Sequence, residues 1–277
     1  MPHGKKCAVC LTFDFDAISL WLGTFDVASP TPLSRGEFGA RVGIWRILDL
    51  LDRYAIKATF FVPGHTADTY PKTVKEIHGR GHEIGHHGYC HENPLKLGYE
   101  EEKALLKKAI NSLKAITGEA PLGSRSPAWD LGPNTIKLLL ENSFVYDSSM
   151  MADDFRIYKC RVGDKVSKTE PFKFGQETAL LEIPVSWSLD DFPAFESTPS
   201  AARFTAASVV FEVWKGEFDY MYENIEGGVY TLTMHPQTIG RGYRIALLEK
   251  LVRYFQDRED VWFARMIDVA RAWKEED

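Results

Sequence analysis

Two short segments contain the side chains best suited to chemistry. The first, TFDFD from Thr12 to Asp16, ends an apolar run, and the second, HGYCH from His87 to His91, follows another. Asp14 and Asp16 are two residues apart in a segment with the pattern of a strand, so both carboxylates point to the same side. One carboxylate and two imidazoles form a three-ligand metal set with open coordination positions, as catalytic metal sites have. The second carboxylate is then free to act as a base on a water molecule, which suggests hydrolysis.

The spacing of the histidines allows more than one pair. His78, His82 and His86 are spaced four residues apart, and His87 and His91 repeat that spacing. His78 lies at the end of a predicted helix, where the helix dipole favours a histidine, and His82 has the pattern of an ordinary surface residue. His87 and His91 rank first because they follow a short predicted strand directly. An isolated Asp-x-Asp pair, by contrast, is typical of a turn or a strand end.

Four clear motifs, in the expected order, resemble those of the polysaccharide deacetylase superfamily (carbohydrate esterase family four). They are residues 12–16, with Phe15 between two aspartates that are adjacent in many members, residues 81–91, residues 125–129 (RSPAW) and residues 232–235 (LTMH). The remaining motif of the family is matched less closely by residues 187–192 (WSLDDF), where Phe192 replaces the usual Trp. The resemblance covers residues 7–265, which is nearly the whole chain.

Within the superfamily, one branch is most similar. This branch holds cyclic imidases, allantoinase-like ureide hydrolases and intracellular-type peptidoglycan deacetylases. Three segments of the chain resemble its sequences, namely the Asp-x-Asp start, residues 34–41 (SRGEFGAR) and residues 235–241 (HPQTIGR). This resemblance implies an α/β fold, an irregular (β/α) barrel of the polysaccharide deacetylase type. It also implies a single catalytic domain over residues 1–277 and a homo-oligomer, namely a tetramer.

The resemblance further implies a role for each polar residue of the motifs. Asp16, His87 and His91 would bind a divalent metal ion, and Asp14 would act as the general base. Arg125 would pair with Asp14 and hold that carboxylate ionised and oriented. Zn²⁺ is the first choice by resemblance, although two histidines and one carboxylate also suit Co²⁺, Ni²⁺, Mn²⁺ or Fe²⁺.

The remaining roles concern the proton donor and the pocket walls. His235 would protonate the departing nitrogen as the general acid. Asp191 would support His235, with Asp190 as the open alternative. Trp129 and Trp187 would line the pocket walls, and core packing is the other role that aromatic residues commonly have.

The alternation of strands and helices predicts the same barrel from the residues alone. Strands are expected at residues 7–16, 57–63, 82–86, 123–126, 145–148, 180–185, 228–235 and 261–264, and helices at 41–54, 67–80, 99–117, 134–142, 201–223 and 245–256. The motif residues all fall at or just after the carboxyl end of a predicted strand, which is the face of a (β/α) barrel that holds the chemistry.

A long irregular segment is predicted at residues 17–40, rich in Gly, Pro and Ser. Loops of that length in a compact domain are usually functional, and this one follows the two aspartates directly. With Trp21, Phe25 and Phe38 it would form an aromatic lid that favours a compact substrate over a polymer. Arg35 in the same segment either contacts the substrate or is solvated.

The composition of the chain limits the classes of partner that it is expected to bind. A formal charge of −6 argues against nucleic acid and anionic membranes as main partners, and no apolar run is long enough to span a membrane. The apolar run that begins at Cys7 is too short for a signal peptide, which predicts a cytoplasmic protein. Cys7 and Cys10 have Cys-x-x-Cys spacing, but positions three apart in a strand face opposite sides, so both are predicted core residues.

Three classes of function compete at this point. The first is a metal-dependent hydrolase of non-peptide carbon–nitrogen bonds, acting on a small cyclic imide or ureide or, alternatively, on an N-acetylated saccharide or peptidoglycan. The small substrate is slightly favoured. The second class, a non-catalytic binding protein, would lack a ligand or the base, whereas the whole set is present. The third, an iron dioxygenase, requires His-x-Asp where this chain has Asp-x-Asp.

Overall fold

In the computed structural model, which describes residues 1–2, 4–198 and 204–276, the centre of the fold is a curled nine-stranded sheet. Its strands are β1 (Cys7–Asp14), β2 (Thr59–Val62), β3 (Glu83–His86), β4 (Gly123–Ser124), β5 (Tyr146–Asp147), β6 (Tyr158–Val162), β7 (Gln176–Glu182), β8 (Val229–Met234) and β9 (Val261–Phe263). The order along the sheet is β6-β7-β5-β4-β3-β2-β1-β8, and β9 pairs with the first residues of β1. Every pairing is parallel except that of β6 with β7.

The sheet curls into the predicted irregular barrel. After β7 the chain continues to Asp190, which forms a parallel bridge with Thr233 of β8. This bridge joins the two ends of the curled sheet at its carboxyl edge. Parallel strands connected by helices bring all their carboxyl ends to one edge, so the residues that follow the strands are neighbours in space.

Twelve α-helices are present in the described part of the chain, and most of them cover the outer face of the sheet. They are α1 (Ser19–Gly23), α2 (Pro30–Phe38), α3 (Ile44–Arg53), α4 (Gly64–Thr69), α5 (Pro71–Gly79), α6 (Tyr99–Thr117), α7 (Thr135–Glu141), α8 (Asp191–Phe195), α9 (Ala207–Asn224), α10 (Pro236–Ile239), α11 (Gly242–Gln256) and α12 (Met266–Glu276). In α3, Ile44, Ile47, Leu48 and Leu51 recur at helical spacing and are fully buried. None of these helices combines the length and the apolar character that crossing a membrane requires.

The predicted loop at residues 17–40 is wrong. That segment contains α1 and α2, and α2 leads through a π-helical turn (Gly39–Gly43) into α3. Trp21 is fully buried, and the Arg35 guanidinium lies 4.4 Å from the centre of its ring. Arg35 is not solvated either, because it forms an ion pair with Glu196. The aromatic segment is therefore a packed helical cover and not an open loop.

The central strand β1 is buried on both faces, and this explains its two cysteines. Cys7 packs with the hydrophobic cluster that includes Ile44 and Leu51, whereas Cys10 packs with the opposite cluster around Tyr146. Both thiols are free. The structure thus confirms that the Cys-x-x-Cys spacing places two core residues on opposite faces of a strand.

One close approach joins the helical cover to the loop after β3. A Cβ atom at Gly23 would overlap with the carbonyl oxygen of Cys90, whereas a Cβ at Gly216, within α9, would meet nothing within 4 Å. We expect Gly23→Ala to lower the free energy of unfolding by about 1–3 kcal/mol through overpacking. The matched control Gly216→Ala should raise it by about 0.5–1 kcal/mol, because alanine favours the helix. Denaturant titration of both variants measures this difference, and equal stabilities would contradict the contact.

Candidate active site

The carboxyl ends of four strands bring the motif residues into one cluster. Asp14 ends β1, His87 follows β3, Arg125 follows β4 and His235 follows β8. The fifth member, Asp191, begins α8 immediately after the bridge to β8. All five side chains are buried. The structure therefore brings together the residues that the motifs predicted at separate positions in the sequence.

Asp16, His87 and His91 form a group suited to a metal ion. One donor atom from each residue lies within 4.8 Å of the other two. The Asp16 Oδ1 atom is 3.4 Å from Nε2 of His87 and 3.7 Å from Nε2 of His91. Neither carboxylate oxygen of Asp16 nor Nε2 of His87 has a hydrogen-bond partner among the described residues. Because buried polar atoms are normally paired, these orphaned atoms fit a bound divalent cation.

Outer hydrogen bonds orient both imidazoles toward that point. The Nδ1 atom of His87 lies 2.7 Å from the carbonyl oxygen of Arg125, so this nitrogen donates and Nε2 has its lone pair free. Similarly, Nδ1 of His91 lies 2.5 Å from Oγ1 of Thr24, at the end of α1. Thr24 also donates to the carbonyl oxygen of His91 at 3.1 Å. Thr24 was not predicted, since nothing in its sequence context marks it.

The electrostatics of the cluster favour a cation. Burial acts to raise the pKa of Asp16, but the neighbouring His91, His87 and His235 lower that pKa to about 2. Burial also lowers the pKa of His91 to about 4, which keeps this imidazole neutral and able to bind a metal. Burial alone would lower the pKa of His87 too, yet Asp14 and Asp16 raise it. The same two carboxylates would attract a metal ion to Nε2 in place of a proton.

Asp14 is held by Arg125, as predicted from the motifs. The Arg125 side chain is fully buried, and its Nη1 donates to Oδ1 of Asp14 at 2.9 Å. The other oxygen of Asp14 faces the cluster, at 3.8 Å from Nε2 of His87 and 4.0 Å from Nε2 of His235. One oxygen is thus fixed by the guanidinium while the other is available at the site.

Two hydroxyl residues that the motifs did not predict complete the environment of Arg125. Its Nη1 also donates to Oγ1 of Thr12 at 2.8 Å, and its Nη2 donates to Oγ of Ser148 at 3.1 Å. The Nε atom donates to the carbonyl oxygen of Ser148 at 3.0 Å. Strand alternation places Thr12 on the same face as Asp14, so this residue had a signal in the sequence. Ser148 had no such signal in the sequence, because only the folding of the chain brings it to Arg125.

His235 pairs with Asp191 and not primarily with Asp190. Its Nδ1 lies 2.7 Å from Oδ1 of Asp191, whose two oxygens also accept from the backbone N–H of His235 at 3.1 Å. Asp190 Oδ1 is 3.6 Å from the same Nδ1 and instead accepts from the N–H of Phe192 at 2.8 Å. Burial lowers the pKa of His235, but Asp191, Asp190 and Asp16 outweigh it and raise that pKa to about 10. These carboxylates therefore favour the protonated form of His235, which is the form able to donate a proton.

The other histidine pairs do not converge on the site. His82 lies at the opposite end of the barrel, where its Nδ1 accepts from the backbone N–H of Ala58 at 3.1 Å. His86 faces Ser124 at 3.3 Å, and His78 lies near the end of α5. The ranking of His87 with His91 over the alternative pairs agrees with this geometry.

Phe192 packs against the cluster, and two tryptophans of the motifs pack against each other. Phe192 stands 5.2 Å from the His235 ring, so the residue that replaces the usual Trp still contacts the histidine. Trp129 and Trp187 pack against each other with ring centres 4.2 Å apart. Trp129 is only 8% exposed, whereas Trp187 is 50% exposed and presents its ring to solvent.

Comparison with known proteins agrees with these motifs. Residues 4–145 match the family model for polysaccharide deacetylases. The chain is 35% identical to a peptidoglycan deacetylase of Helicobacter pylori, over 96% of each chain. It is 30% identical to the peptidoglycan deacetylase-like protein FGM2 of Gibberella zeae, over 91% of this chain and 82% of that one. The crystal structure of PuuE allantoinase superposes with a TM-score of 0.80 at 26% identity, covering 99% of this chain and 92% of the other.

The Thr24 contact predicts a measurable effect on metal affinity. Thr24→Val removes the hydroxyl that fixes His91, and we expect Zn²⁺ affinity to fall about ten- to a hundredfold, as for other outer partners of metal ligands. Thr24→Ser keeps the hydroxyl and should bind Zn²⁺ like the unchanged protein. Competition titration against a chelator provides the measurement. Equal affinities for the valine and serine variants would show that this hydrogen bond does not orient the ligand.

Proposed function

The chain belongs to the polysaccharide deacetylase family and hydrolyses carbon–nitrogen bonds other than peptide bonds, and we propose that its substrate is a compact amide, imide or ureide. Asp16, His87 and His91 would hold the divalent metal ion, with Zn²⁺ as the first choice and Co²⁺, Ni²⁺, Mn²⁺ or Fe²⁺ as alternatives. The orphaned buried atoms of Asp16 and His87 support this ligand set. A metal bound there supplies Lewis acidity, which acidifies water and polarises the substrate carbonyl.

Asp14 is the proposed general base. Its oxygen near His87 and His235 is the carboxylate atom that faces the reaction space, while Arg125 holds the other oxygen at 2.9 Å. An ionised carboxylate with one oxygen fixed can accept the proton of the attacking water without rotating. Arg125 acts through Asp14 and is a positioning residue in this scheme.

His235 is the proposed general acid. Asp191 keeps the imidazole protonated and holds its Nδ1, so Nε2 carries the proton that the leaving nitrogen requires. This Nε2 lies 4.0 Å from Asp14 and 3.8 Å from Asp16. The base and the acid therefore share one reaction space, as cleavage of a carbon–nitrogen bond requires.

The burial of the site is the observation that supports a compact substrate. Asp14, Asp16, His87, His91 and His235 are between 0% and 7% exposed. The segment that follows α1 contributes to this closure, since Thr24 contacts His91 and the ring of Phe25 lies 6.5 Å from that of Phe192. A site whose side chains are this deeply buried favours a small molecule or the end of a chain over the middle of a polymer.

An N-acetylated saccharide is the second candidate substrate. The exposed ring of Trp187, which packs against Trp129, is suited to pack against the face of a sugar. The relative from Helicobacter pylori, described as a peptidoglycan deacetylase, is also more similar in sequence, at 35%, than the allantoinase, at 26%. Both substrates contain the same bond between a carbonyl carbon and a nitrogen, so the residue roles are unchanged.

Substitutions of the two aspartates should have different effects on turnover and metal content. Asp14→Asn should lower kcat by about a hundredfold or more while metal content stays the same, because only the base is lost. Asp16→Asn should lose the metal itself, since a ligand is weakened. Elemental analysis and turnover measured on the same preparations distinguish the two effects. If Asp14→Asn lost metal and Asp16→Asn kept it, the two roles would be exchanged.

A substrate panel tests the proposed class directly. The panel contains succinimide-type imides, allantoin, monomeric N-acetylglucosamine and long N-acetylated glycans. We expect turnover of compact members, loss of that turnover on chelation and its recovery with Zn²⁺ or Co²⁺. Ammonia, acetate or ring-opening assays provide the readout. Efficient acetate release from long glycan, with no turnover of any compact member, would contradict the argument from burial.

A further inference from the structure

Three arginines near the carboxyl end of the barrel lack a carboxylate partner. They are Arg46, Arg241 and Arg244, and none of them forms an ion pair with any carboxylate of the described residues. Their guanidinium groups contact backbone carbonyl oxygens instead, those of Gly240 at 2.9 Å, Gln237 at 3.3 Å and Thr238 at 3.2 Å, respectively. The cluster stands out because the chain as a whole has a charge of −6.

The cluster lies beside the candidate active site. Helix α10 follows His235 directly, and the three contacted carbonyl groups belong to this helix and its end. Arg46 comes from the start of α3, which is packed against the same place because a Cβ at Gly43 would overlap with Pro236. Arg46 and Arg241 also share the ring of Phe38, at 5.8 and 3.7 Å from its centre. The guanidinium groups thus contact carbonyl groups two to five residues after His235.

Capping of the helix carbonyls accounts for only part of this arrangement. Within the described part of the chain, Arg46 and Arg241 each use a single N–H in a hydrogen bond, although a guanidinium has five N–H donors. Arg35 adjoins the cluster and is paired with Glu196. Among the described residues, Arg46 and Arg241 have no carboxylate within ion-pair distance, whereas the charge of Arg244 acts on Asp191. Burial, followed by the neighbouring arginines, lowers the pKa of both Arg35 and Arg241, which is the effect expected of crowded like charges.

A second observation in the same segment indicates a missing partner. The carboxamide of Gln237 is only 1% exposed, and neither its oxygen nor its nitrogen has a hydrogen-bond partner among the described residues. Its backbone carbonyl is the group that Arg241 contacts. Buried amides are normally satisfied, so the carboxamide of Gln237 is an unused donor and acceptor on a residue whose backbone Arg241 contacts.

We propose that Arg46 and Arg241 bind an oxyanion group of the substrate, a carboxylate or a phosphate. Planar guanidinium groups match such groups with paired N–H donors, and the Phe38 ring keeps both side chains in place. The inference rests on the proposed function, since it describes the substrate of the same site. The proposed substrate is then a compact amide that carries a negatively charged group in addition to the bond that is cleaved.

Direct anion binding tests the site without reference to turnover. Inorganic phosphate and acetate are titrated calorimetrically at low ionic strength into the full chain, Arg241→Gln, Arg46→Gln and the control Arg41→Gln. Arg41 is a suitable control because its side chain is 75% exposed and is paired with Glu37 at 3.7 Å. We expect affinity to fall about tenfold or more in the first two variants and to stay unchanged in the control. The anion that binds more tightly shows whether the bound group is a carboxylate or a phosphate.

A pair of substrates then tests the link to turnover. N-acetylglucosamine and N-acetylmuramic acid differ by a carboxylate-bearing ether, and kcat/KM should favour the charged member about tenfold or more in the full chain. Arg241→Gln should lose this preference through KM, and Arg241→Lys should keep part of it. Absence of anion binding in the full chain, or equal binding by Arg241→Gln, would overturn the inference. If neither sugar is turned over, only the proposal of a saccharide substrate is contradicted. The anion titration does not depend on catalysis, so it still tests the arginine site.

Discussion

The rest of the site depends on one buried charge, the carboxylate of Asp16. Its side chain is fully inaccessible, and neither oxygen has a hydrogen-bond partner in the described part of the chain. Burying an ionised carboxylate without compensation costs several kcal/mol or more, so the surrounding structure must provide positive charge. Three histidines face it, and an outer hydrogen bond orients each of them. A cation among these atoms would offset that penalty.

Much of the site could be predicted from the sequence because its residues follow strands. Asp14 and His235 end runs whose apolar character comes from burial on both faces of the barrel, and such runs are visible in the sequence. Asp191 could only be ranked narrowly above Asp190, since the choice depends on a distance of 2.7 Å against 3.6 Å from the ring nitrogen. Adjacent residues with the same side chain have no local signal that separates them.

The helical cover could not be predicted because tertiary contacts form it. Helix α2 has the sequence PTPLSRGEF, whose prolines and glycine have weak helix propensity. Its Gly36 allows a close approach to the backbone of Ala17, and Arg35 anchors it to Glu196. Both partners, Ala17 and Glu196, lie outside the helix, so the local sequence pattern does not predict α2. Thr24 was missed for the same reason, since its contact with His91 spans 67 residues.

The position of β1 in the sheet has a consequence for synthesis on the ribosome. This strand is made first, yet it pairs with β8 and β9, which are made last. The pairing of Cys10 with Thr231 cannot form until nearly the whole chain has emerged. Until then the apolar β1 presents an unpaired edge, which is a template for association with other chains. Nascent chains of this protein therefore depend on shielding of that edge, by chaperones or by transient local contacts, until their last strands emerge.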